Sequence, residues 1–432
     1  MKVLFAHSYF LHFDPKQEQT KTPYAPLATL YAASYAREHG YEVDLFDVQF
    51  CEDPNELKDK LSYFRPDVFV IYDDGFNYLT KMCLTNMRDA AWEMQRLAKQ
   101  YGCSVIVSSS DATDHIDEYI KNGADIIIIG EAEQTLLELL DSIKLKSEVA
   151  RVDGIAFIQN NNIQKNPSRN VLKNLDSLPK PAWDLVNIEP YKKTWIDKHG
   201  YFTFNLVTTR GCPYKCNWCA KPIYGNRYNA HSPAYIVELI EETQQLFGYT
   251  HIWFADDIFG LKPNWLKEFR DLVKEKNISV KYKIQSRADL LLEPSSIQYL
   301  AESGCEHVWM GAESGSQKVL DAMDKGIKVE EIIRSARLLK AHGIKPSLFL
   351  QFGYPGETME DIQKTMNMVL EVMPEDIGIS VSYPLPGTGF YEKVKSELVH
   401  KTNWTDSDDL DLMFRNNYSK DFYKQLHRYV HY

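Results

Sequence analysis

"LVTTRGCPYKCNWCAKP", residues 206–222, sets Cys212, Cys216 and Cys219 within eight residues. The chain has seven cysteines in 432 residues, so three of them share one loop. Gly211, Pro213 and polar neighbours mark a loop and not a buried apolar run, which argues against three unrelated core cysteines. Thiolates are soft ligands, suited to zinc or to iron–sulfur clusters. A structural zinc site is closed by four ligands, usually in paired knuckles. The next cysteine, Cys305, lies far downstream, and His231 is the candidate fourth ligand on that reading. Three thiolates alone can hold three irons of a four-iron cluster and leave the fourth iron open. On the residues alone, zinc and iron–sulfur both stand.

Working outward, the loop follows the first of six strand-like runs: "FNLVTTR", "THIWFADD", "SVKYKIQSR", "HVWMGAE", "KPSLFLQFGYP" and "DIGISVSYP". Helical stretches separate them. "PAYIVELIEETQQLFG" repeats apolar residues at Ile236, Leu239, Ile240 and Leu246–Phe247, with Pro233 near its start and Gly248 at its end. Six βα units fall short of the eight in a closed barrel, so a curved partial barrel is expected.

The first 145 residues alternate in the same way. "MKVLFAHSY", "YEVDLFDV", "PDVFVIYDD", "CSVIVSSSD" and "ADIIIIGEAE" are short apolar runs, and "APLATLYAASYAREHG" is helical in pattern. Five βα units predict a doubly wound, Rossmann-like sheet, whose ligands bind beyond the carboxyl ends of the strands. "VDGIAFIQNNNIQKNP" reads as a hairpin and "LDSLPKPAWDLV" as an extended connection. The expected fold class is thus α/β. Domains are expected at 1–145 (Rossmann-like), 146–195 (hairpin and linker), 196–395 (partial barrel) and 396–432 (a helical tail, from "DFYKQLHRYVHY").

The formal net charge of -11 disfavours general attraction to nucleic acid or an anionic membrane. No run reaches the roughly 20 apolar residues of a membrane span. The N-terminus lacks the small-residue cleavage site of a signal peptide. An odd, clustered cysteine set does not suggest a disulfide framework, and a cytoplasmic location is expected.

Cys212, Cys216 and Cys219 as CxxxCxxC, with Trp218 before the last cysteine, resemble the cluster loop of the radical S-adenosylmethionine (SAM) superfamily. The resemblance implies a [4Fe-4S] cluster whose open iron chelates SAM and whose electron releases a 5′-deoxyadenosyl radical. "TPYAPLATLYAASYAREHGYEVDLFD" and "SSSDATDHIDEYIKNGADIIIIGEAEQTLLELL" resemble the cobalamin-binding domain that precedes many such barrels. "HIWFADDIFG" and "FGYPGET" further resemble the branch of the anaerobic magnesium-protoporphyrin ester cyclases and several methyltransferases. The DxHxxG motif, whose histidine ligates cobalt in methionine-synthase-type domains, does not occur. The expected activity is B12-dependent C-methylation of an unactivated carbon. A radical cyclase or rearrangement enzyme is the alternative within enzymes, and a non-catalytic cobalamin- or metal-binding protein the alternative outside them. A small-molecule substrate and an external electron donor such as a flavodoxin or ferredoxin are implied.

Site residues follow from strand ends. Asp256 and Asp257 end the second barrel strand, where the family contacts the SAM amino group; capping the next segment is the plainer role. Ser286 and Arg287 end the third strand, and the arginine suits SAM's carboxylate or a salt bridge to Asp289 or Glu313. Glu313 and Ser314, between Gly311 and Gly315, end the fourth and suit SAM's ribose or methionine end, or a helix cap. Tyr383 suits the adenine or core packing. For cobalamin the candidates are Pro26 and Leu27, small and apolar, with Ser108, Ser109, Asp111, Gly130 and Glu131 at strand ends. His7, His12 and His115 are histidines of the kind that ligate cobalt, though each reads more simply as a loop residue.

Overall fold

The computed structural model describes residues 1–77, 84–221, 223–399, 401, 403–404 and 409–431. Pro222 of the quoted loop and Tyr432 of the tail lie outside the described residues. The chain divides into two compact units. The first consists chiefly of Met1–Asn205; the second holds Leu206–Lys221, Asn226–Asn403 and Asp409–Tyr432.

The first unit is built on β1 (Lys2–Ala6), β2 (Glu42–Phe46), β3 (Val68–Tyr72), β4 (Ser104–Ser108), β5 (Ile126–Ile128), β6 (Ile155–Gln159) and β7 (Asn162–Lys165). Their order is β2-β1-β3-β4-β5-β6-β7, and β1 to β5 are parallel. β3 and β5 are buried along their whole length, the burial that near-continuous apolar runs need when helices cover both faces. The helix Leu27–Glu38 buries nine of its twelve residues, which its alanines and leucines permit on every side. The hairpin expected within 152–167 forms and extends the sheet: β6 pairs antiparallel with β5, and β7 with β6. The polar, exposed β7 suits a sheet edge. Strand order reverses at β1, so the topological switch point lies at the loops after β1 and β3.

The second unit holds β8 (Thr203–Leu206, begun in the first), β9 (Thr209–Arg210), β10 (Asn229–Ala230), β11 (His251–Phe254), β12 (Lys281–Ser286), β13 (Cys305–Glu313), β14 (Lys345–Phe352) and β15 (Asp376–Val381). Six of these form one sheet in sequential order, β15-β14-β13-β12-β11-β8, and β11 to β15 are parallel. Right-handed crossovers between sequential parallel strands place their helices on one face. Ile252 and Phe254, Ile284, Val308 and Met310, Leu348 and Leu350 are almost wholly buried, as that face requires. The alternate residues Trp253, Lys283, His307, Trp309 and Phe349 are partly exposed. This is the expected partial (β/α)6 barrel. Helix ends follow their sequence signals. Ser232 Oγ accepts from the Tyr235 amide at 3.1 Å with Pro233 at the first position, and Gly248 closes that helix at φ +66°. Thr358 and Asp361 cap Met359–Val372 reciprocally.

Candidate functional site

The cysteine loop springs from the carboxyl end of β8, and both its entry and its middle are pinned. Asp256, which follows β11 and is 1% exposed, accepts from the Thr208 and Thr209 amides and from Thr208 Oγ1, each at 2.7 Å. The short ladder of β9 and β10 joins Arg210 to Asn229 and so closes the base of the loop. Asn217, just after Cys216, is tied on every side. Its amide donates to Met323 O at 3.0 Å, and its side-chain nitrogen to Ala322 O at 2.8 Å and Asp324 Oδ2 at 2.7 Å. Tyr354 Oη donates to Asn217 Oδ1 at 2.9 Å, and the Phe390 amide donates to Asn217 O at 2.8 Å.

Cys212, Cys216 and Cys219 are half-buried thiols. Burial pushes the Cys212 thiol up, with the Lys221 ammonium pulling the other way; a bound metal would displace that proton. Among the described residues no three His, Cys, Asp or Glu side chains are gathered around one point as a single ion would need. The triad is three separate soft donors on one pinned loop, beside cations.

Burial, working against three accepted hydrogen bonds, pushes the Asp256 carboxyl up to about 7. A carboxyl raised on folding contributes stability that is present below its unfolded value near 4 and is lost as pH rises through about 7. Asp256→Asn, which stays neutral, is expected to flatten that loss, changing the stability difference between about pH 5 and pH 8 by on the order of 1 kcal/mol or more. Urea unfolding of both proteins at the two pH values measures this; parallel curves would contradict it.

The other candidates in this unit have the following surroundings. Asp257 is exposed and lies close enough to Cys212 to act on its thiol electrostatically. Ser286 is buried at the end of β12. Arg287 is held by Asp289, with Nε at 3.0 Å and a terminal nitrogen at 3.2 Å. Glu313 takes the left-handed region at φ +60°, where β13 slips register against β14. It receives Lys325 Nζ at 2.8 Å, both side chains being buried. A Cβ at Gly311 would stand 2.7 Å from Lys325 Nζ and 2.9 Å from Glu313 Oε1, so a side chain there would push the two ends of this pair aside. Ser314 Oγ meets Thr365 Oγ1 at 3.1 Å and accepts from the Ser316 amide at 3.1 Å. Tyr383 donates to Asp409 O at 2.6 Å. Lys325, Tyr214, Asn217 and the Thr208–Thr209 pair were not singled out from the sequence. The aromatics inside the cysteine loop were a usable signal for Tyr214; no local pattern marks Lys325.

In the first unit the switch-point loops are joined: Asp73 accepts from the Ser8 amide at 2.7 Å and from Ser8 Oγ at 3.0 Å. Pro26 precedes the helix Leu27–Glu38, and the Leu27 amide donates to Asp74 at 3.2 Å. Ser108 ends β4. Ser109 Oγ accepts from the Ala112 amide at 2.9 Å, capping a short helix. The neighbouring Ser110 Oγ is buried with no partner among the described residues. Asp111 is fully engaged, by Arg88 at 2.7 and 2.5 Å and by Tyr119 Oη at 2.7 Å. Glu131 accepts from the Leu172 amide. Gly130 has φ +86° and backs onto the Ile223 carbonyl. The three histidines already face carboxylates: His7 at 2.9 Å from Asp47, His12 at 2.7 Å from Glu18, and His115 at 3.1 Å from Glu118. No described helix is long and apolar enough to cross a membrane.

Residues 206–369 match the Radical SAM superfamily. An uncharacterized methyltransferase of Pyrococcus horikoshii is 25% identical over 388 residues, 88% of this chain and 80% of its own length. An anaerobic magnesium-protoporphyrin IX monomethyl ester cyclase of Rubrivivax gelatinosus is 22% identical over 408 residues, 91% of this chain and 70% of its own. The structure of the radical SAM methyltransferase TsrM from Kitasatospora setae, with cobalamin and a [4Fe-4S] cluster bound, aligns with a TM-score of 0.74 at 19% identity. It covers 91% of this chain and 74% of that one. The cobalamin-dependent radical enzyme OxsB aligns with a TM-score of 0.72 at 20% identity over 85% of this chain, which spans about half (51%) of OxsB. These alignments give the fold, and the matched region begins at the strand end from which the cysteine loop springs. Residues 206–369 thus carry a radical SAM domain, and the chain has the fold of cobalamin-dependent radical SAM enzymes.

Proposed function

We propose that this chain is a B12-dependent radical SAM methyltransferase acting on an unactivated carbon of a small molecule. The observation that carries the reading is the pinned CxxxCxxC loop at the head of a six-stranded partial barrel, in a chain whose first unit has the doubly wound order 2-1-3-4-5. Cys212, Cys216 and Cys219 would hold a [4Fe-4S] cluster that supplies, when bound, an open iron for SAM and the electron that cleaves it. Asp257, exposed beside Cys212, is the carboxylate placed to receive SAM's ammonium, while Asp256 braces the loop. Ser286, Glu313, Ser314 and Tyr383 line strand ends of the same sheet edge, and the Lys325–Glu313 pair fixes the direction of the Glu313 carboxylate. In the first unit, Pro26, Leu27, Ser108, Ser109 and Gly130, at or just beyond the carboxyl ends of strands, would meet cobalamin. The orphaned Ser110 hydroxyl there suits an amide or phosphate of cobalamin, with Asp111 and Glu131 bracing the loops behind. A low-potential flavodoxin or ferredoxin is the implied donor.

A radical cyclisation is the second reading, favoured by the likeness to the ester cyclase over 91% of this chain. The test uses full-length protein purified without oxygen and reconstituted with iron, sulfide and hydroxocobalamin. With SAM and a strong reductant, 5′-deoxyadenosine, S-adenosylhomocysteine and bound cobalamin are measured together. Both products with about one cobalamin per chain are expected. 5′-Deoxyadenosine with bound cobalamin but no S-adenosylhomocysteine favours cyclisation, and neither product with zinc in place of iron overturns both readings.

A further inference from the structure

Arg287 follows β12 and is 5% exposed. Its guanidinium carbon lies 3.7 Å from the centre of the Tyr214 ring, inside the cysteine loop, and one terminal nitrogen stands 3.9 Å from Cys216 Sγ. The opposite edge of the fork is fixed by Asp289, and the nitrogen on that edge also donates to Lys325 O at 2.9 Å. With those donors committed, the edge left over points at the thiol. A planar fork held on one edge cannot swing away from what its other edge meets.

The charges are arranged unevenly. The Arg287 side chain is 6% exposed and that of its partner Asp289 is 28% exposed. Water therefore screens the carboxylate more than the cation, and the field reaching Cys216 is net positive. Lys325 also acts on Cys216 electrostatically, but its charge is answered by a buried carboxylate. Its ammonium is bound to Glu313 at 2.8 Å, equally buried, and stands 5.9 Å from the Trp218 ring.

We propose that Arg287 is a positioning residue that sets the electron affinity of the cluster through Cys216. The proposal rests on the reading of the cysteine loop as a [4Fe-4S] site. Reduction there takes one electron from a low-potential donor of the flavodoxin or ferredoxin class. The donor is oxidised by one electron, no bond is made or broken, and no proton moves. The loop gains one negative charge in doing so. A hydrogen bond to the ligating sulfur and a buried cation beside it both favour the electron-rich state, which raises the potential. Arg287 on this account serves the cluster and not SAM's carboxylate.

The experiment is potentiometry of the reconstituted full-length protein, reading the reduced cluster by its paramagnetic resonance signal and counting bound iron and sulfide. Wild type, Arg287→Gln and Arg287→Lys are compared. The expected result is equal iron in all three and, at a fixed potential, a reduced-to-oxidised ratio at least tenfold lower for Arg287→Gln, which is about 59 mV for one electron. Arg287→Lys keeps the charge without the fork and is expected to fall between. Equal ratios at equal iron would overturn the proposal while leaving the cluster reading intact. Wild type that binds zinc or no iron would instead overturn the cluster reading. If Arg287→Gln fails to load iron, Arg287→Lys decides: an unchanged ratio, or failure to load as well, overturns a role in electron affinity.

Discussion

Replacing Cys216 by alanine is expected to lower 5′-deoxyadenosine formation at least about a hundredfold, to the level of a no-enzyme control. Even the loss of an outer-shell partner costs a metal site 10–100-fold, and Cys216 is proposed as one of only three protein ligands. The fold should survive. Cys216 is half-buried, and the loop is held at Asn217 through its backbone and amide, not through a thiol. The melting temperature of the variant should therefore stay within a few degrees of wild type, as for a substitution costing under about 1 kcal/mol. Iron and sulfide should fall together with product. Cys51→Ser is the control, because Cys51 is likewise half-buried but lies in the first unit, on none of the proposed machinery. Near-normal product from Cys216→Ala, with normal iron, would remove this loop from the chemistry altogether.

That this loop was legible in the sequence has a physical reason. Ligand type and spacing are local properties, and three soft donors on a Gly/Pro loop have few other uses. Helix ends were legible on the same ground: Pro233 and Gly248 act within one turn of themselves. The α/β class and the two strand series follow from the lengths and apolar runs of the βα units. What the sequence did not disclose are partners created by closure of the fold. Arg88 and Asp111 stand 23 residues apart and Arg287 and Cys216 71 apart, so no window of sequence contains either pair. Glu313 was visible as a strand-end carboxylate, but its left-handed backbone and its lysine arise from the register slip against β14. The hairpin was visible too, whereas its antiparallel seat on β5 depends on an edge that exists only once β5 is in place.

Asp111→Ala is expected to destabilise the first unit by about 3–5 kcal/mol, the usual cost of stripping one partner from a buried ion pair. Arg88 and Asp111 are 8% and 7% exposed, and Arg88 grips both carboxylate oxygens at 2.7 and 2.5 Å. Without Asp111 the guanidinium stays charged, since arginine does not deprotonate, and the Tyr119 hydroxyl loses its acceptor. Arg88→Met should cost less, because a carboxyl left alone can take up a proton. The double change Arg88→Met with Asp111→Leu removes both charges and should recover most of the loss, the non-additivity expected of contacting residues. Thermal unfolding of the four proteins ranks these costs, with a fall of roughly 10 °C for Asp111→Ala. The same set decides what Asp111 does. A folded double variant that takes up cobalamin like wild type makes the pair a brace behind the Ser108–Ser110 turn. Unchanged melting with lost cobalamin uptake in Asp111→Ala makes the carboxylate a cofactor contact. The observed geometry favours the brace, because an oxygen already shared between a guanidinium and a phenol has little left to offer a ligand.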